Sequence, residues 1–305
     1  MLKTNKVLFF DGIEFENIIL HYIDLGKFNL AKKALAIGMD QHPKNIELML
    51  LKTEILLFEG AYKDAEELLV EIEILSPENE EIYVQRASIF SKKKKHSLAI
   101  ALLYKALTVT ENPTEINNLI GNEYLFIGNF NKAKEYFIKC VNENHEDYQS
   151  LYNLLYCYEK LKQKKEAIIF LRKFIDLDPY NEIAWHQLGK LYANSNQFDK
   201  AMSAFDFSII SNESYSSAYI EKGKLLEKIG RHLEAIKNYQ ISSKLNNPNA
   251  FISHRIGLCH LKLGNSKLAM KFFEESIQLE PNHEKSWIDL INLLQKNNEL
   301  IKSQL

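Results

Sequence analysis

The sequence predicts an all-α solenoid of stacked helical hairpins, and three observations lead there. Alanine recurs as Ala31, Ala65, Ala99, Ala133, Ala167, Ala201, Ala235 and Ala269, an interval of 34 residues every time. Columns of small and large apolar residues keep the same phase. Glycine and proline punctuate the chain at fixed places in that phase. A strict period of this length marks one supersecondary unit copied in tandem, each copy needing neighbours to bury its faces.

With Ala31 set at position 20, the repeats run 12–45, 46–79, 80–113, 114–147, 148–181, 182–215, 216–249 and 250–283, and a partial repeat occupies 284–305. The whole of 1–305 reads as a single solenoid domain. Each repeat begins with a helix A, whose apolar positions 4, 7, 8 and 11 fall on one stripe at helical spacing. Position 8 is small in Thr53, Ala87, Gly121, Gly189, Gly223 and Gly257, with Ile19 and Leu155 as exceptions. Position 11 is large, from Tyr22 through Tyr192 to His260. The turn after helix A carries glycine in Gly26, Gly60, Gly128, Gly230 and Gly264. Glycine there is free to take the left-handed conformation that ends a helix. Helix B follows, with alanine at position 20 and a large residue at 24: Leu35, Leu69, Leu103, Phe137, Leu171, Phe205, Tyr239 and Phe273. Small residues at 8 and 20 let helices A and B approach, and large ones at 11 and 24 fill the space beside that contact. Proline at position 32 (Pro43, Pro77, Pro179, Pro281) closes helix B, because it cannot continue the hydrogen-bond ladder.

The ends depart from the pattern. Val7 to Phe10 are expected to pack on the first repeat as a cap. Beyond 284, Trp287, Leu290, Ile291 and Leu294 predict another helix A, with a turn at Asn297–Asn298. Asp289, Asn292, Gln295 and Lys296 predict the polar outer face of a capping helix.

The set Trp185, Leu188, Gly189, Tyr192, Ala201 and Phe205, with Pro179 closing the repeat before it, resembles the tetratricopeptide repeat (TPR). The resemblance extends over nearly the whole chain. It implies a right-handed α-α superhelix with helix A on the concave wall. It also implies a non-catalytic scaffold for protein–protein interaction, whose groove is lined by positions 2, 5, 6, 9, 12 and 13 of helix A.

Composition narrows the partners. Lys and Arg number 38 against 40 Asp and Glu, so no basic stripe argues for nucleic acid. The one basic run, Lys92 to Lys95, falls in a hairpin turn. No stretch reaches the ~18 apolar residues that a bilayer span requires. Cys140, Cys157 and Cys259 are widely spaced and odd in number, which predicts reduced structural thiols and a cytoplasmic setting.

A search for chemistry leaves none standing, and no cofactor or metal is expected. Gly223-Lys224 lacks the upstream glycine (Ala218) and the following hydroxyl (Leu225) of a phosphate loop. His145-Glu146 and His283-Glu284 lack a second histidine, with Gln149 and Trp287 in its place. His186 and His254 share position 5 two repeats apart, which at ~8–10 Å per helix is too far to share a metal.

The groove positions therefore carry the functional expectation. Asn118, Asn122, Tyr152, Asn153, Tyr156, His186, Gln187 and Lys190 line it in repeats 4 to 6, and Lys224, His254 and Arg255 continue it alongside Glu221. Asparagine can donate to and accept from a peptide backbone at once, and tyrosine offers flat amphipathic area at low entropy cost. A protein or peptide segment is the expected partner. Chaperone-binding members of the family hold a C-terminal carboxylate with two lysines and an arginine. Asn118, Ile183 and Gln187 stand at those places here, so that mode is not expected. Ile13, Leu20, Ile23, Leu50, Leu57 and Phe58 are apolar at groove positions of the first two repeats. They predict either a surface for self-association or a seat for Leu8, Phe9 and Phe10.

Overall fold

A computed structural model describes residues 9–303 in backbone and 9–296 in side chain. Among these residues the chain forms seventeen helices and no strand. It divides into two compact units, Met1–Lys162 and Gln163–Leu305. The first unit holds the A helices α1 (Gly12–Asp24), α3 (Ile46–Glu59), α5 (Glu80–Lys92), α7 (Pro113–Phe126) and α9 (Tyr148–Lys160). Its B helices are α2 (Phe28–Gln41), α4 (Tyr62–Leu75), α6 (His96–Val109) and α8 (Phe130–Glu143). The second unit opens on a B helix, α10 (Lys164–Leu177). Three hairpins follow: α11 (Glu182–Ala193) with α12 (Phe198–Ser211), α13 (Ser216–Lys228) with α14 (His232–Leu245), and α15 (Ala250–Lys262) with α16 (Ser266–Leu279). Helix α17 (Glu284–Ser303) comes last.

The hairpins keep the expected phase. Each position-20 alanine is buried. In four hairpins the position-8 glycine lies directly under the position-24 ring. An added Cβ would sit 2.8 Å from Phe137 at Gly121, 2.5 Å from Phe205 at Gly189, 2.7 Å from Tyr239 at Gly223 and 2.6 Å from Phe273 at Gly257. Position 27 of helix B is serine in three hairpins of the second unit, Ser208, Ser242 and Ser276. Ser208 Oγ donates to the Glu182 carbonyl and Ser276 Oγ to the Ala250 carbonyl, both at 2.8 Å, which ties the end of helix B to the start of its own helix A.

Caps fix where the A helices begin. Asn45, Asn181 and Asn249 accept from backbone amides in the first turn, and Asp11 forms a reciprocal capping box with Glu14. The turns show one backbone for all eight sequences. The five predicted glycines have φ between 67° and 81°. Lys94, Lys162 and Asn196 occupy the same position at φ of 55–58°, so the turn survives where its glycine is missing. Between the two helices, the amide five residues on bonds back to the position-11 carbonyl, as Asn129 N to Tyr124 O at 2.9 Å and Arg231 N to Leu226 O at 2.8 Å. That bond returns helix B onto helix A.

Several expectations for the ends change. Phe10 does seat on the first hairpin: its amide donates to Gln41 Oε1, its carbonyl accepts from His42 Nε2, and its ring meets Phe15 edge-on. It covers the base of that hairpin and not the apolar wall, because Ile13 and Phe58 remain 69% and 70% exposed. Phe9 is exposed as well; Val7 and Leu8 lie outside the described residues. Leu50, expected on that wall, is buried instead. At the other end α17 continues through Asn297–Asn298 without a turn, since no glycine or proline stops it. Leu290 and Leu293 bury against Phe273, whereas Trp287, Ile291 and Leu294 stay partly exposed. Asp289 leaves the outer face and accepts from His254.

Candidate functional site: the A-helix face

Some successive A helices touch one another directly, α1 with α3, α3 with α5 and α11 with α13, and side chains bridge others, as Asn153 to Asn122 and Arg255 to Glu227. In the first unit, Asn118, Asn122, Tyr152, Asn153 and Tyr156 come together on α7 and α9. Asn122 Nδ2 donates to Asn118 Oδ1 at 2.7 Å, and Asn153 Nδ2 donates to Asn122 Oδ1 at 3.2 Å. Gln149 extends this ladder to Asn153, and Asn118 closes it on the buried Ser150 Oγ at 2.7 Å. The ladder stitches one A helix to the next, while Tyr152 and Tyr156 stand beside it with their rings exposed. Phe130 meets the Tyr156 ring edge-on and Lys160 lies over its face, so this ring is held in place.

In the second unit the position-5 residues are not open wall. His186 is 6% exposed and His254 4%. His186 sits among Phe205, Tyr215 and Gln187. Burial, helped by Lys190 and Lys224, pulls its imidazole down to about 4, so it is neutral at physiological pH. His254 is lowered by burial against the opposing pull of Asp289. Its Nε2 lies 2.8 Å from Asp289 Oδ2, which pins α17 to α15. Gln187 is buried beside His186. Lys190, Lys224 and Arg255 keep partial exposure. Lys224 pairs with Glu221 at 2.8 Å and lies over Phe251, and Arg255 grips Glu227 through two nitrogens. Around them a pocket of about 410 Å3 is lined by Lys224, Glu227, Lys228, His232, Arg255 and Lys262.

One cavity on this wall escapes the sequence reading. In the first unit α3, α5 and α7 flank an open cavity of about 290 Å3 whose lining includes Glu54, Glu81, Gln85, Glu115 and Glu123 with Leu57, Val84 and Leu119. Glu123 holds His96 Nδ1 at 2.8 Å. Burial first, then the charges of Glu115, Glu54 and Glu80, push Glu81 up to about 7 against a hydrogen bond from Gln85. Glu47, one repeat earlier, is raised in the same direction by burial and by Glu16 and Glu80. The signal was present in the sequence: Glu47, Glu81 and Glu115 occupy position 2 of three successive repeats.

The three thiols are buried and unpaired. Burial pushes Cys157 up to about 11 and Cys259 up to about 12, which leaves them protonated and unreactive at neutral pH. Among the described residues no three His, Cys, Asp or Glu side chains converge to hold a metal ion. No described helix is long and apolar enough to cross a membrane.

Comparison with known proteins agrees with the hairpin architecture. Segments 80–113, 114–145, 148–181, 183–206 and 252–283 match the tetratricopeptide repeat family. The chain is 24% identical over 289 residues to a TPR repeat-containing protein of Methanocaldococcus jannaschii, covering 87% of this chain and 50% of that protein. It is 24% identical over 215 residues to the Homo sapiens protein O-mannosyl-transferase TMTC3, covering 65% and 24% respectively. The chain thus spans half or less of the length of these curated relatives. In structure it is similar to the C-terminal part of a TPR repeat-containing protein from Cytophaga hutchinsonii, with TM-score 0.58 and 16% identity over 79% of this chain and 98% of that one.

Proposed function

The chain belongs to the tetratricopeptide repeat family, and from that premise we propose that it is a non-catalytic scaffold holding a protein or peptide segment against its A-helix face. The observation that carries this reading is the asparagine ladder flanked by Tyr152 and Tyr156. A carboxamide has two donor hydrogens and two acceptor lone pairs, and the bonds within the ladder use only part of them. The remainder suits the alternating donors and acceptors of an extended backbone, while the two rings supply the contact area typical of binding hot spots.

The titratable groups of the second unit support the non-catalytic part of the reading through the work they do in packing. His254 with Asp289 fastens α17, and Arg255 with Glu227 joins α15 to α13. Three buried thiols accord with a reducing, cytoplasmic setting, and near-balanced charge accords with a protein partner and no nucleic acid. A second reading, self-association, is favoured by the exposure of Ile13, Leu20 and Phe58; a solution mass that grows with concentration in light scattering distinguishes it.

The test of the groove reading is affinity capture from native lysate. Changing Asn122, Tyr152, Asn153 and Tyr156 together to alanine is expected to abolish recovery of the partner while circular dichroism remains helical. Full recovery by this variant removes the α7–α9 wall from the function.

A further inference from the structure

The cavity between α3, α5 and α7 gives the wall a chemical preference, and this inference rests on the groove reading above. We propose that this cavity takes the lysine and arginine side chains of the bound segment. Its charged lining is wholly acidic, beside the hydroxyls of Ser88 and Ser91: Glu54, Glu81 and Glu115 contribute carboxylates and Glu123 a fourth, already shared with His96. Gln85, 6% exposed, adds a neutral acceptor. Its Nε2 donates to the Leu50 carbonyl and to Glu81, while its buried Oε1 receives no hydrogen bond. A buried acceptor without a donor is costly, and here it lies in the wall of an acidic cavity. Leu57, Val84 and Leu119 line the same space and fit the methylene stem of a long cationic side chain, whose charged head reaches past the apolar part.

The charge pattern extends beyond the cavity. Across groove positions of the first five A helices, Glu16, Asp24, Glu47, Glu54, Glu81, Glu115 and Glu159 are acidic, and cations enter only at position 13 as Lys92 and Lys160. Burial first, and then the crowding of these carboxylates, raises Glu81 and Glu47, and a cation placed among them relieves the crowding. A guanidinium would satisfy several of the acceptors at once through charge-assisted bonds.

The experiment uses the full chain and a fluorescein-labelled ten-residue peptide of alternating arginine and serine, read by anisotropy at low salt, with the glutamate–serine peptide as control. The arginine peptide is expected to bind and the glutamate peptide not to. The double variant Glu81→Gln, Glu115→Gln is expected to weaken binding at least tenfold. The pair Glu67→Gln, Glu71→Gln, exposed on α4, makes the same change in net charge and is expected to leave binding within twofold. Equal binding by the first pair overturns the proposal, and equal weakening by both pairs overturns it in favour of diffuse attraction. A melting curve of the Glu81→Gln, Glu115→Gln variant no lower than that of the parent chain excludes misfolding as the cause. The groove reading fails separately: it falls if the four-alanine variant keeps its native partner, whatever the arginine peptide does.

Discussion

Replacing Phe205 by alanine is expected to lower stability by about 3–5 kcal/mol, the range for a large aromatic ring removed from a closed core. Phe205 is fully buried on α12 and covers Gly189 of α11. The reciprocal change tests the contact itself. Gly189→Ala normally gains about 0.5–1 kcal/mol in a helix, but here the new Cβ would stand 2.5 Å from Cε1 and 2.7 Å from Cδ1 of Phe205. Displacing a packed ring costs about 1–3 kcal/mol, so Gly189→Ala is expected to destabilise. In a Phe205→Leu background the same substitution is expected to turn neutral or favourable. Urea unfolding of the four proteins gives the coupling directly. The same sign for Gly189→Ala in both backgrounds contradicts the hairpin contact.

The second large effect is a pair of opposite pH dependences, one in each unit. Glu81 is raised from 4.5 to about 7 by burial and neighbouring carboxylates. Below pH 4.5 it is protonated folded or unfolded and costs nothing. Between pH 4.5 and 7 the unfolded chain releases its proton first, so stability falls as pH rises. Glu81→Gln is therefore expected to stabilise the first unit by about 2–3 kcal/mol at pH 8 and hardly at all at pH 4. His186 runs the other way. Its pKa falls from 6.5 to about 4, so the unfolded chain takes up a proton first as pH drops. Full stability is present above pH 6.5, and about 3 kcal/mol is lost towards pH 4. His186→Gln is expected to remove that acid-side slope while shifting the whole curve by a constant packing loss. Denaturant unfolding at pH 4.5, 6 and 8 reads both. A gain of stability in Glu81→Gln joined to loss of the arginine peptide would mark Glu81 as a residue kept for binding.

The phase of the hairpins was legible because it rests on volume: position 20 is alanine every 34 residues, and in four hairpins a glycine at position 8 makes room for a ring at position 24. The turns were legible only in part. Lys94, Lys162 and Asn196 adopt a left-handed backbone that their side chains do not favour; at Lys94 and Asn196 the bond from the following amide to the position-11 carbonyl, Lys95 N to Phe90 O and Gln197 N to Tyr192 O, holds the turn. Position 5 was misleading for a different reason. Spacing places His186 and His254 on the outer side of their helices, but Tyr215 covers the first and Asp289 of α17 the second. Tyr215 caps the start of α13 and Asp289 lies on α17, so both covers come from beyond the hairpin, where spacing along one helix does not reach. The ladder of Asn118, Asn122 and Asn153 was foreseen as a set of groove positions. The bonds joining them depend on how α9 stacks on α7 and could not be read from the columns. The acidic cavity has its signal at position 2, where Glu81 and Glu115 recur one repeat apart, but their convergence depends on how α3, α5 and α7 stack.

The measurement that bears most directly on the account is site-specific photocrosslinking in native lysate, with a benzophenone side chain at Tyr152 on the A-helix face or at Lys105 on the exposed side of α6. A crosslinked partner is expected from Tyr152 and none from Lys105. A partner captured from Lys105 and absent from Tyr152 would contradict it, because the working surface would then lie on the B helices.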